Sequence, residues 1–114
     1  MKRFAFILLA LGMSFQALAA GSVSNTKITT IRVDSDGKGI ITFDKLLETP
    51  IGCIHPAFVA SLSFDATTPG GKAILAAAIA AKNAGSPIQS AFGTGSCTNY
   101  GGSWVEDLSY FHVS

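Results

Sequence analysis

The chain has 114 residues, 48% of them hydrophobic and 13% charged, with eight Lys and Arg against seven Asp and Glu. That near balance gives no basic footprint for nucleic acid, and the length provides one compact core but not two.

Lys2 and Arg3 open the chain, an apolar run follows from Phe4 to Met13, Ser14 and Gln16 break it, and Ala17-Leu18-Ala19 forms a small-x-small site. This is the order of a secretory signal peptide. The run is well short of the roughly 20 residues needed to span a bilayer, and no cysteine follows the cut to carry a lipid. We therefore read residues 1–19 as a signal, cleaved after Ala19 or Ala20, and 20–114 as a single domain. The expected destination is periplasmic or extracellular, with no membrane span in the mature protein. Loss of Lys2 and Arg3 leaves six basic residues against seven acidic ones, so the net charge falls from +1 to −1.

The β-branched stretch Val23 to Val33 and the stretch Ile40 to Lys45 flank the turn Asp34-Ser35-Asp36-Gly37, which predicts a hairpin. In the second strand Ile41 and Phe43 share one face, Thr42 and Asp44 the other. Ile28 is out of phase with Ile31 and Val33, and a bulge or bend would restore the phase. Leu46 to Pro56 carries Pro50, Gly52 and Pro56 and reads as an irregular connection. A third strand follows, with Phe58, Ala60, Leu62 and Phe64 inward and Val59, Ser61, Ser63 and Asp65 on the other face.

Thr67-Thr68-Pro69 opens a helix and Gly85 closes it, since Thr accepts an N-terminal N–H and Pro is preset for the first helical position. Its expected apolar stripe is Ile74, Leu75, Ala78 and Ile79. The remaining alanines leave few charged positions, which suggests a second covered side, as against a plain choice of good helix formers. Pro87 to Phe92 returns to strand with Ile88 and Phe92 on one face. Gly93-Thr94-Gly95-Ser96 then bends toward Cys97, and a short loop turns at Gly101-Gly102. Trp104 to Val113 is apolar on both faces: Val105, Phe111 and Val113 on one, Trp104, Leu108, Tyr110 and His112 on the other. An interface strand has that pattern.

Cys53 and Cys97 are the two cysteines, and in an oxidising compartment pairing is the default. A closed loop of about 45 residues removes denatured-state freedom worth roughly 4 kcal/mol. Cys53, His55, Cys97 and His112 lack the paired short spacings of zinc modules, so no metal and no other cofactor is expected. Asp34-Ser35-Asp36-Gly37-Lys38-Gly39 partly matches a calcium loop, but Lys38 and Lys45 occupy ligand positions and a hairpin turn is the better reading. Gly93-Thr94-Gly95 lacks the following Lys-Ser/Thr and helix of a phosphate loop.

No catalytic residues are assigned. His55 has no orienting carboxylate in sequence reach, and His112 alternates with Tyr110 and Leu108 as a packing residue. Glu106 and Asp107 point to opposite faces of a strand and form no dyad. Asn99, Tyr100, Ser103 and Trp104 cluster around the second cysteine in a Gly-rich surface loop. Aromatic rings stack on sugar faces while amides and hydroxyls fix sugar hydroxyls, so these four are the candidate glycan-binding residues. A packed disulfide corner has the same composition.

The predicted order is β-β-β-α-β-β, a five-stranded Greek-key barrel with one helix between strands three and four, which is the OB-fold arrangement. With Ile28-Thr29-Thr30-Ile31-Arg32-Val33, Cys53, Phe64-Asp65, Thr68-Pro69-Gly70-Gly71-Lys72-Ala73, Gly93-Thr94-Gly95-Ser96-Cys97 and a terminal Tyr-containing strand, the chain resembles small secreted bacterial OB-fold proteins similar to the B subunits of AB5 toxins, in particular the subtilase-cytotoxin B-subunit-like group. The resemblance implies a non-catalytic module that binds a cell-surface glycan, forms a homopentamer with its helices lining a central pore, and accompanies a secreted A-type subunit. The alternative is a stand-alone periplasmic protein that binds or inhibits another protein. The bridge is expected to tie the loop before strand three to the segment between strands four and five, closing one end of the barrel.

Overall fold

A computed structural model describes residues 20–100 and 102–114. The predicted signal, residues 1–19, lies outside the described residues. These form six strands and one long helix: β1 (Ser22–Thr26), β2 (Ile28–Val33), β3 (Lys38–Phe43), β4 (Ser61–Asp65), α1 (Pro69–Ala84), β5 (Ile88–Tyr100) and β6 (Ser103–Val113). They make one mainly β sheet in the order β1-β5-β6-β4-β3-β2, antiparallel except for the parallel β4–β6 contact at Ser63 and Asp107.

Five strands were expected, and there are six because the first breaks at Lys27. Asn25 has φ 51°, a left-handed conformation that asparagine tolerates. Asp44 clamps the corner, accepting from Lys27 N–H (3.1 Å) and from the Thr26 hydroxyl, while its own N–H donates to Lys27 O (3.0 Å). The break sends β1 to one edge of the sheet and β2 to the other. Because one residue joins them, the sheet must curl until its edges meet at that corner. The hydrogen-bond ladder itself is not closed between β1 and β2. In β2 the register shifts between Ile28 and Thr30, which accounts for the phase slip visible in the sequence.

Ile41, Phe43, Leu62 and Phe64 enter the core as their alternation required. The third predicted strand starts later than expected because His55, Pro56, Ala57 and Phe58 make a 3-10 turn, with His55 Nδ1 accepting from Ala57 N–H (3.1 Å). Phe58 is only half-buried. Ser61 and Ser63 are also buried on the face expected to be open, since β4 is bonded along both edges, to β3 and to β6. Their hydroxyls are satisfied: Ser61 pairs with Thr42 (2.9 Å), and Ser63 donates to Glu106 O (3.2 Å) and Asp107 Oδ1 (2.9 Å).

Helix α1 begins and ends where its caps dictate. Thr68 Oγ1 accepts from Gly71 N–H (2.9 Å), and Gly85, at φ 65°, lets Gly85 N–H reach Lys82 O (3.2 Å) and Ser86 N–H reach Ala81 O (2.9 Å), a Schellman closure. Its buried face is Gly71, Ala78 and Ala81, with Ile74 and Leu75 packed beside them. Ile79, expected in the stripe, is 44% exposed, because it lies about 100° around the helix from Ala78. The helix packs on β2 and β4, so closely that a Cβ on Gly71 would lie 1.6 Å from Asp65 O.

The Gly93–Ser96 segment does not interrupt the sheet. β5 continues through it by shifting register at Ile88/Ser90, Phe92/Gly93 and Gly93/Cys97. These shifts reverse the expected phase, so Ile88 and Ala91 are buried and Phe92 is exposed. The same shifts resolve the two-sided apolar pattern of β6: Val105 and Leu108 enter the core, Phe111 and Val113 are half-buried, and Trp104, Tyr110 and His112 face outward. The bridge joins Cys53 to Cys97 as predicted. Cys97 lies within β5 and not between two strands, since the glycine segment is part of β5.

Candidate functional site

The β3, β4, β5 and β6 strands enclose a cleft of about 330 Å³ lined by Lys38, Ser63, Phe64, Asp65, Thr98, Tyr100, Asp107 and Leu108. Strand alternation places Thr98 and Tyr100 on one face of β5, and the β4–β6 register sets Ser63 opposite Asp107. Ser63 Oγ (2.9 Å) and Thr98 Oγ1 (2.5 Å) both donate to Asp107 Oδ1. This leaves Oδ2 without a protein hydrogen bond among the described residues. Tyr100 bridges the cleft, its hydroxyl donating to Gly39 O (2.9 Å).

Burial pushes the Tyr100 phenol up to about 12, with the negative charges of Asp107, Asp34 and Asp36 acting in the same direction. Tyr100 therefore remains a neutral donor and ring at any physiological pH. Asp65 lies at the rim, held below the usual carboxylate range by the Thr67 hydroxyl (2.6 Å) and then by Thr67 N–H (2.9 Å), with Lys38 adding attraction. Hydroxyls, one ring edge, two carboxylates and one ammonium make a surface suited to polar binding.

The four candidate glycan residues divide between two faces of the β5–β6 hairpin. Asn99 pairs with Trp104 and Tyr100 with Ser103, so alternation sends each pair to an opposite side. Tyr100 lines the cleft. Asn99 Oδ1 accepts from Gly102 N–H (2.6 Å) and braces the turn, while Trp104 is 44% exposed and its carbonyl accepts from His55 N–H (2.9 Å) beside the disulfide loop. Ser63, Thr98, Asp107, Lys38 and Asp65 are not among the binding residues assigned from sequence, since strand crossings bring them together from distant positions.

The remaining motifs have structural roles. Arg32 forms a two-pronged pair with Asp34 (2.7 and 3.0 Å), and Asp36 accepts from Lys38 N–H (3.1 Å), so the Asp-rich turn is internally bonded. Glu106 and Asp107 do lie apart, Glu106 being fully buried against Gly21 and Gly95. A second, more apolar groove of about 240 Å³ runs between Ala73, Ile74 and Ala77 of α1 and Tyr110, Phe111 and Val113 of β6. Beside it Phe92 and Tyr110 stack at 5.1 Å, both exposed.

Among the described residues no group of three or more His, Cys, Asp or Glu could hold a metal ion, and no helix is long and apolar enough to cross a membrane. Comparison of the chain with protein-family models, curated proteins and solved structures finds no match.

Proposed function

We propose that the mature protein is an exported, non-catalytic OB-fold binding module that takes a glycan in the cleft around Tyr100. The observation that carries this reading is the cleft's inventory: one half-buried aromatic ring, the Ser63–Asp107–Thr98 hydroxyl–carboxylate group and the Lys38 and Asp65 rim. Such a site fixes ligand hydroxyls with paired donors and acceptors while a ring edge packs against the sugar's C–H face. The sheet order supports the OB reading: taken as one strand broken at Lys27, β1 and β2 form both edges of a curled sheet, and the helix follows the third strand of that count. Homopentamer formation and a secreted A-type partner belong to the same reading, and the sparsely charged outer side of α1 and exposed Tyr110 offer a surface for them.

A glycan array probed with the wild type, Tyr100→Phe, Asp107→Asn and Trp104→Ala tests the site. Binding by the wild type that drops at least tenfold in Asp107→Asn and Tyr100→Phe, with Trp104→Ala unchanged, supports the cleft. Loss in Trp104→Ala alone moves the site to the opposite face of the hairpin, and absence of binding by the wild type removes the glycan reading. The second reading, a stand-alone periplasmic protein that binds or inhibits another protein, is favoured by the apolar groove beside the exposed Phe92–Tyr110 stack. Light scattering at tens of micromolar separates the two, because a strictly monomeric protein counts against the pentameric assembly.

A further inference from the structure

Glu106 is the one fully buried acidic side chain among the described residues, and no Lys, Arg or His there forms an ion pair with it. A carboxylate in that position is costly unless charge or several donors compensate it. Its surroundings are built for it. Gly93 has no Cβ, and one placed there would lie 2.0 Å from Glu106 Oε2; a Cβ on Gly21 would lie 2.5 Å from Oε1. Gly95 N–H donates to Oε2 (3.0 Å).

The remaining partner is the backbone nitrogen of Gly21, which lies 3.1 Å from Oε1 and 3.0 Å from Oε2. This nitrogen straddles the carboxylate symmetrically, yet as an amide it has a single hydrogen to share between two oxygens. An ammonium has three hydrogens and a charge, and suits that position better. Among the described residues Gly21 is the first that is buried, and Ala20 before it is half-buried. The Gly21 carbonyl accepts from Gly93 N–H (2.8 Å), whereas Ala20 is tied only by a 3.4 Å contact from Thr49 Oγ1 to its carbonyl.

We propose that Gly21 is the first residue of the mature protein, and that its α-ammonium, released when the signal is removed, is the buried counterion of Glu106. The step is hydrolysis of the Ala20–Gly21 peptide bond by a signal peptidase. Water supplies the oxygen of the new Ala20 carboxylate, which departs with the leader, and the Gly21 amine takes up a proton. Processing thereby converts a shared amide contact into a buried ion pair, and the domain gains its full stability only after the cut. The precursor is left less stable than the processed chain. This rests on the secretory reading of residues 1–19, and the experiment separates the two.

The full precursor is expressed in a bacterium with a secretion system, and the exported product is identified by intact mass and N-terminal sequencing. Gly21 as first residue is expected. Ala20 as first residue overturns the proposal while leaving export intact, and an unprocessed chain overturns both. In the second arm, chains that begin at Gly21 and at Ala20 are released from a cleavable fusion and unfolded in urea. The Gly21 chain is expected to have an unfolding equilibrium constant about tenfold smaller, as an ammonium–carboxylate ion pair replacing an amide–carboxylate hydrogen bond implies. Glu106→Gln should abolish that difference. Equal stability of the two wild-type chains refutes the ion pair, whether or not Glu106→Gln folds.

Discussion

Replacing both Cys53 and Cys97 with serine probes how much of the domain's stability is topological. The bridge closes a loop across a sequence separation of 44 residues, which in the chain-entropy account restricts the denatured state by about 4 kcal/mol at 25 °C. That figure is a ceiling. In the native state the disulfide loop is otherwise attached by His55 N–H to Trp104 O (2.9 Å) and by half-buried Ile54 against the core, so an unbridged loop gains some native freedom and offsets part of the loss. The expected destabilisation is about 2–4 kcal/mol, a large share of what a domain of this size possesses. Urea unfolding followed by tryptophan fluorescence measures it, since Trp104 lies beside the loop. The midpoint should fall, and the slope should rise because the uncrosslinked denatured chain exposes more surface. An unchanged midpoint would refute the argument. Ligand binding in the folded variant should persist, because Thr98 and Tyr100 project from the side of β5 opposite to Cys97.

Two further outcomes follow from close contacts and buried groups. Gly71→Ala should cost about 1–3 kcal/mol through overpacking against the Asp65 carbonyl, whereas Gly70→Ala, with nothing within 4 Å of its Cβ position, should be neutral or stabilising by up to about 1 kcal/mol; thermal denaturation of the pair reads the difference in sign. Tyr100 has a pKa raised to about 12 in the folded state, above the ordinary phenol value near 10, so its contribution is complete below pH about 10 and is lost as pH rises through about 12. Phenolate absorbance should show a late-ionising tyrosine that disappears in Tyr100→Phe. An alkaline titration without that late step would contradict the burial of the ring.

Much of the architecture is written locally. Thr68, Pro69 and Gly85 set both ends of α1 because capping depends on a few adjacent backbone groups. The alternation of Leu62 and Phe64, and of Ile41 and Phe43, set their inward faces because strand side chains alternate rigidly. Two cysteines permit a single pairing. Where tertiary contacts shift the register, local reading fails. Phe92 was expected inside with Ile88, and the register shift between Ile88 and Ser90 turned it outward.

Tyr100 was legible as a candidate because an aromatic in a Gly-rich hairpin stands out. Its cleft partners were not: Lys38, Ser63 and Asp107 are dispersed over three strands and meet only through the β3–β4 and β4–β6 registers. The same limit hid Glu106. Its sequence context is an ordinary acidic pair, and its burial depends on Gly21 and Gly93 leaving room 85 and 13 positions away. The sequence by itself therefore determined the covalent bridge and the local course of strands and helix, which rest on short-range chemistry. Which polar groups share a cleft, and which carboxylate is enclosed, depended on long-range strand pairing and could be decided only by the tertiary structure.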